Sequence, residues 1–343
     1  MNVVEVKGSF RQMGRQMGEA FREAIRWRLA TFGQDGGSQE HAERLPTWVA
    51  CMRQTLPDML EQMEGVAEGA GLTFEEAARL DLPGYRGELD VDDGCTNIGF
   101  AGGPDGPIWG KNNDGKHAER EKQQPVCCIV HRPDRSIPAI SFAFAGSIGF
   151  GDAMNAEGLA AGHSSVGSVF QQSDTHPTVR LWAHQGMLTC RTTGEFARHM
   201  ASRPTRGKGF SWVVVDRAGT AVSLEVACPI TQVRRSARPD GHVHCVNVYQ
   251  LPHLANADRR KPDYKAHSLL RWKTLDKKLE EGGDFGLDHM KRLLRFHGPS
   301  GICRHSGPEL SHTEYSMIGL PASGRVLFYH GHPCEGEYSE VRF

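Results

Sequence analysis

From Gly94 onward the chain is broken into short β-branched and aromatic runs set between glycines and acidic or amide turns. Pro107–Lys111, Val126–His131, Ala139–Phe144, Gly158–Ser164, Phe210–Asp216, Ala221–Val226, His242–Val248 and Val326–His330 each have the length and bounds of a strand. Asp216-Arg217-Ala218-Gly219-Thr220 reads as a hairpin turn between two of them. Before Gly94 the pattern differs. Met13, Met17, Phe21 and Ile25 recur at every fourth residue with Gly14 and Gly18 beside them. That spacing predicts an amphipathic helix packed closely through its glycines. Helical periodicity returns in Leu45–Glu68 and Thr73–Leu80, and among the strands in Leu181–Ala201, Ala266–Leu279 and Leu287–Arg295. Strands in clusters and helices in clusters constrain the fold to α+β layers rather than a βαβ repeat.

Length and charge narrow the function. The 343 residues suffice for one large fold or two small ones. Forty Lys and Arg face 41 Asp and Glu, a net charge of −1. This balance provides no electrostatic footprint for nucleic acid or an anionic membrane. No apolar run reaches the ~18 residues of a transmembrane helix. Met1 to Lys7 lacks a basic segment followed by an apolar one, so no secretory signal is read and a cytoplasmic location is expected. The nine cysteines are scattered, odd in number and free of any CxxC pair. That usage argues against a disulfide framework or a structural zinc site, and for buried thiols in a reducing compartment.

One cysteine stands out. Asp92-Asp93-Gly94-Cys95-Thr96-Asn97 puts a thiol directly after glycine, ahead of a strand-like segment ending in Lys111-Asn112-Asn113-Asp114. A Gly-Cys bond can cut itself: the thiol attacks the preceding carbonyl, an N-to-S shift gives a thioester, and water releases it. Glycine would let the backbone take the turned geometry this needs. Cutting would leave Cys95 with a thiol and an α-amine of pKa about 7.7–8.0, suited to general-base work. A buried structural cysteine is the plainer alternative.

Cys95, Lys111 and Asp114 lie at offsets 0, +16 and +19. With Val6-Lys7-Gly8-Ser9-Phe10-Arg11-Gln12-Met13-Gly14 at the start and Ser300-Gly301-Ile302-Cys303-Arg304-His305 and Gly331-His332-Pro333-Cys334 near the end, the chain resembles the C45 peptidase family. These are the acyl-coenzyme A:6-aminopenicillanate (isopenicillin N) acyltransferase-like members of the N-terminal-nucleophile hydrolases. The resemblance implies a four-layer αββα sandwich and cleavage between Gly94 and Cys95. Residues 1–94 would form a mainly helical fragment retained after cleavage, and 95–343 the catalytic fragment of one integrated fold. It implies Cys95 as nucleophile, Asp114 as the acid orienting the new α-amine, Asn247 as an oxyanion donor, and Arg304 near the site. Lys111 stands where relatives often carry an arginine that lowers the thiol pKa. Thr96, Asn97 and His163 are possible supports, His163 for the oxyanion. Ser268 and Arg271 resemble a Ser-x-x-Arg helix start, although a helix cap would explain the serine.

The implied reaction is acyl transfer from the amide of a small N-acyl compound through a Cys95 thioester, to water or an amine, with an acyl-coenzyme A a further possible partner. No cofactor or metal is implied, and no nucleic-acid or membrane partner. Three readings compete. His242-x-His244 and His330-x-His332 could make a metal-dependent hydrolase. A papain-like enzyme would pair Cys95 with His163 or His305. A binding relative would keep the fold and never be processed.

Overall fold

The structure is a computed structural model that describes residues 3–32, 39–82, 94–115, 123–149, 151–170, 176–203, 205, 207–298, 300–305 and 311–343, with only the backbone of residue 40. Asp92 and Asp93 lie outside the described residues.

The strands are β1 Val3–Gly8, β2 Gly94–Phe100, β3 Ile108–Gly115, β4 Val126–Pro133, β5 Ala139–Phe144, β6 Asp152–Asn155 and β7 Ala160–Val166. They continue as β8 Gly209–Val215, β9 Ala221–Val226, β10 Thr231–Arg235, β11 Val243–Val246, β12 His312–Leu320, β13 Arg325–His330 and β14 Ser339–Arg342. The helices are α1 Phe10–Ala20, α2 Arg22–Phe32, α3 Gln39–Thr55, α4 Pro57–Ala70 and α5 Phe74–Ala78. Later come α6 Val179–Thr189, α7 Thr193–Ala201, α8 Pro252–Ala255, α9 Pro262–Glu280 and α10 Leu287–Leu294.

Two sheets form. One has eight strands in the order β1-β4-β5-β6-β7-β8-β9-β10, the other six in the order β11-β2-β3-β12-β13-β14. Every neighbouring pair is antiparallel except β1 with β4. Successive side chains on a strand face opposite ways, and that alternation sorts the core into three slabs. On β4, Cys127 and Ile129 face the helices α1 to α7, in a slab with Met13, Trp48, Met63 and Trp182. Cys128 and Val130 face the second sheet, with Trp109, Phe142, Met154 and Met317. The far side of the second sheet, with Ile98, Phe100 and Ile318, packs under α9 and α10 through Leu275, Leu279 and Met290. Three apolar slabs between four layers make the expected αββα sandwich.

Local signals start and stop the helices. Ser9 and Gln12 form a reciprocal capping box at the start of α1, as Thr73 and Glu76 do for α5. The expected glycine packing of α1 is present, and its partner is α4. A Cβ on Gly14 or Gly18 would strike the backbone of Gln62 or Val66. One on Gly65 or Gly69 would strike the backbone of Arg11 or Arg15. The two helices cross backbone to backbone, and Arg11 reaches over the crossing to Glu64 and Glu68. The expected helix over Leu181–Ala201 is divided at Cys190 into α6 and α7. Ser268 lies within α9 rather than at its start, so it is not a cap; its hydroxyl accepts from Arg260.

Candidate active site

β2 is an interior strand of the six-stranded sheet, second from one edge, hydrogen-bonded to β11 on one side and β3 on the other. Its register with β3 pairs Gly94 with Asp114, Cys95 with Asn113, Thr96 with Asn112 and Asn97 with Lys111. The alternation therefore sends Cys95, Asn97, Lys111 and Asn113 toward the eight-stranded sheet. Gly94, Thr96, Asn112 and Asp114 turn toward the helices. Contacts on both faces bear this out. Asn97 Nδ2 donates to Ser164 of β7, whereas Asn112 Nδ2 donates to the carbonyls of Leu294 and Ile302.

Gly94 and Cys95 are both buried. Gly94 lies in regular strand rather than in a left-handed turn, so its need is space and not backbone freedom. A Cβ there would come within 2.7 Å of Ser311 Oγ, 3.0 Å of Arg271 Nη1 and 3.2 Å of Arg304 Nη1. Two guanidinium groups thus close over the residue before the cysteine. The Cys95 amide nitrogen donates to Asn247 Oδ1 at 2.6 Å. That same oxygen accepts from Arg271 Nη2 at 2.7 Å, while Asn247 Nδ2 donates to the Ser165 carbonyl at 2.9 Å. Two donors on one atom and a carbonyl on the other fix the amide's orientation. Asn247 therefore meets Cys95 as an acceptor on its nitrogen. Its own N–H, expected to serve an oxyanion, is engaged with Ser165. The Cys95 thiol is 3.5 Å from Asn113 Oδ1, whose Nδ2 reaches Glu314.

Asp114 sits on the helix side with Arg271 and Arg304. Its Oδ1 accepts from Thr313 Oγ1 at 2.7 Å, and its Oδ2 is 3.9 Å from Arg271 Nη1. Burial pushes the Asp114 carboxyl up against the opposing pull of Arg304 and Arg271. Burial, then Arg304, brings the Arg271 guanidinium down to about 9, still charged at neutral pH, with Asp114 and Cys95 opposing. Arg304 is held by its backbone, which exchanges bonds with Thr313. Among the described residues, Arg271 Nε and Nη1, Arg304 Nε, Ser311 Oγ and Thr96 Oγ1 have no hydrogen-bond partner. The Ser-x-x-Arg spacing puts Ser268 and Arg271 on one face of α9, which is how that helix delivers its arginine.

On the inner face a second network centres on Asp152 of β6. Lys111 Nζ lies 2.7 and 2.6 Å from its two oxygens, with both side chains fully buried. Tyr315 donates to Oδ2 at 2.8 Å, and the His163 backbone N–H to Oδ1 at 3.1 Å. His163 Nδ1 is 3.0 Å from Oδ1. Burial alone would raise the Asp152 carboxyl, but Lys111 and His163 outweigh it and hold it below the usual carboxylate range. Burial and Lys111 bring His163 down to about 4, so its ring is neutral at pH 7. Lys111 and His163, expected to serve the thiol and an oxyanion, are both bound to this carboxylate.

Asp152, Tyr315 and Asn113 were not singled out in the sequence. The available signal was the lysine: an ammonium at the centre of a buried strand requires a carboxylate partner. The HxH pairs do not converge. His242 packs on Phe285 and His244 on Trp272. His332 meets His312 instead, at 3.1 Å. His305, one candidate for a papain-like pair, lies against Cys303 and Cys334.

Two facing sheets between helical layers make the fold class of N-terminal-nucleophile hydrolases. Within it, the chain belongs to the acyl-coenzyme A:6-aminopenicillanic acid acyl-transferase family, whose model matches residues 102–334. This makes it an amide hydrolase or acyltransferase. The matched stretch holds Lys111, Asp114, Asp152, Asn247, Arg271 and Arg304; Cys95 precedes it. No curated protein matches. Among solved structures the chain is similar to a Caenorhabditis elegans N-acylethanolamine-hydrolyzing acid amidase ortholog, at 14% identity and a TM-score of 0.49, covering 66% of this chain and 93% of that one. It is also similar to a mutant conjugated bile acid hydrolase from Clostridium perfringens, at 12% identity and a TM-score of 0.45, covering 73% and 97%. A penicillin V acylase from Agrobacterium tumefaciens gives 13% identity and a TM-score of 0.40, covering 69% and 83%. No described helix is long and apolar enough to cross a membrane.

Proposed function

We propose that the chain cuts itself between Gly94 and Cys95, then works as an amide hydrolase or acyltransferase with Cys95 as its N-terminal nucleophile. The observation that carries this reading is the 2.6 Å bond from the Cys95 amide nitrogen to Asn247 Oδ1. That nitrogen would become the catalytic amine, and an acceptor fixed by Arg271 and Ser165 already aims it.

In the first step Sγ attacks the Gly94 carbonyl carbon, the C–N bond breaks, and the nitrogen leaves as the α-amine. Water then splits the thioester, returning the thiol and leaving a carboxylate on Gly94. Arg271 and Arg304, beside Gly94, would stabilise that carboxylate and a buried Asp114 would balance their charge. In turnover the α-amine takes the thiol proton, and the thiolate attacks the substrate's amide carbonyl. The proton passes to the departing amine, and the acyl group rests on Cys95. Water is the default acceptor; an amine acceptor would give transfer. The substrate class is a small N-acyl amide, and an acyl-coenzyme A donor is consistent with the family's description. The inner network around Asp152 would keep the floor beneath the thiol rigid. Balanced charge and nine free thiols suit a cytoplasmic setting.

The test is turnover of a panel of N-acyl amides by the wild type and by Cys95→Ala. Loss on the order of 10³-fold or more is expected for a substrate that the wild type cleaves. Turnover that survives in Cys95→Ala would remove Cys95 from the chemistry.

A further inference from the structure

Away from Cys95, where the chain leaves β13, four side chains from three segments meet. His297 follows α10, Cys303 and His305 precede β12, and Cys334 lies in the turn after β13. Their ligand atoms all fall within 4.8 Å of one another. Cys303 Sγ is 3.6 Å from Cys334 Sγ and 3.6 Å from His305 Nε2. His305 Nε2 is 3.3 Å from Cys334 Sγ. The rings of His297 and His305 are 4.9 Å apart, centre to centre.

These edges have a chemical meaning. A tetrahedral zinc ion binds thiolate at about 2.3 Å and imidazole at about 2.0–2.1 Å, so its sulfur–sulfur edge is about 3.8 Å and its sulfur–nitrogen edge about 3.6 Å. The three distances match those edges to a few tenths of an ångström. A disulfide needs a bond of about 2.05 Å. We propose that Cys303, Cys334, His297 and His305 bind one zinc ion.

The surroundings support the assignment. Ligating histidines commonly give their second nitrogen to a carboxylate. Here His305 turns Nδ1 toward Glu335 Oε1, 3.9 Å away, and the same oxygen lies 2.8 Å from His332 Nδ1. The His332 ring stacks on His305 at 3.7 Å. Thiolate and imidazole donors together select zinc over calcium or magnesium. Four protein ligands close the shell, which marks a structural ion rather than a catalytic one. On binding, the two thiols release their protons to solvent and no other covalent bond changes. No CxxC spacing announces this set, because its ligands come from three separate segments. The two HxH pairs supply none of its four ligands.

The placement links the ion to the rest of the molecule. Arg304 lies between two ligands in sequence, and its guanidinium stands beside Gly94. Zinc would pin the segment that carries Arg304 to the turn after β13, bracing the site without taking part in it.

The reading is tested on the purified, reduced full-length protein. Metal content is measured by plasma mass spectrometry, and Co²⁺ is titrated as a spectroscopic stand-in for zinc. About one zinc per chain is expected, with thiolate-to-cobalt charge transfer and tetrahedral d–d bands. Cys334→Ser, at an exposed position, should keep its far-UV circular dichroism and lose on the order of tenfold or more in zinc affinity. Three results would overturn the site: reduced protein that takes up neither ion, Cys334→Ser binding zinc as tightly as the wild type, or a Cys303–Cys334 disulfide found in place of metal. Cys95→Ala should bind the same zinc, which separates this outcome from that of self-cleavage.

Discussion

At the scale of single residues, the sequence named side chains that the fold gathers and left their faces unassigned. Cys95, Asp114, Asn247 and Arg304 are far apart in the chain, and the fold brings them around one peptide bond. What each does follows from strand parity, which a one-residue shift of register would reverse. Asp114 and Arg304 share the helix side with Gly94, while the thiol points the other way. Lys111 shares the thiol's face but is bound to Asp152, a residue that looks from its neighbours like part of a loop. That pair provides a direct test. Asp152→Asn leaves a fully buried ammonium without a counter-charge, and should cost about 3–5 kcal/mol in urea unfolding. Replacing both members, as Lys111→Met with Asp152→Asn, should recover much of the loss. An Asp152→Asn protein of wild-type stability would show that Lys111 does not depend on this carboxylate.

At the scale of elements, the legible parts were those with a strong period or a turn signal. The Asp216–Thr220 hairpin joins β8 and β9, with Asp216 Oδ1 accepting from the backbone of Ala218 and Thr220. β5 and β9 fall where their residues predict. β12 did not show itself, because its nine residues are buried on both faces and alternation disappears. β6 is only four residues long and follows a glycine-rich stretch. The glycines of α1 were legible as a packing face, while their counterparts Gly65 and Gly69 on α4 were not, since a second helix is needed to reveal them. Adding one methyl at Gly14 drives a side chain into the α4 backbone, which cannot rotate away. Gly14→Ala should therefore destabilise by about 1–3 kcal/mol, against the mild gain expected for this change in an exposed helix. A rise in melting temperature for Gly14→Ala would contradict the close crossing.

At the scale of the whole molecule, the described residues before Cys95 are part of the fold. β1 completes an edge of the eight-stranded sheet by pairing with β4, and α1 to α5 cover that sheet's outer face. Removing them would expose a sheet edge and an apolar slab, so the pieces should remain together after cleavage. The molecule also holds several neutral histidines in its core. Burial lowers His131 and His244 to about 3, His163 to about 4, and His184 well below its ordinary value. A lowered folded-state value means that the unfolded chain binds protons first as pH falls below about 6.5. Stability is then full above that pH and is lost on the way down. Between pH 7 and 5 the loss should be roughly 1–2 kcal/mol for each such histidine, read as a falling urea midpoint. A midpoint unchanged across that range would contradict their burial as neutral rings. Whether the chain cuts itself is decided by the intact mass of the purified wild type under denaturing conditions, with the N-terminal sequence of each species. Self-cleavage predicts two co-purifying fragments, the larger beginning at Cys95 and 249 residues long, and an uncut chain in Cys95→Ala. A single uncut species of 37.8 kDa with full thiol-dependent amide turnover would contradict the N-terminal nucleophile.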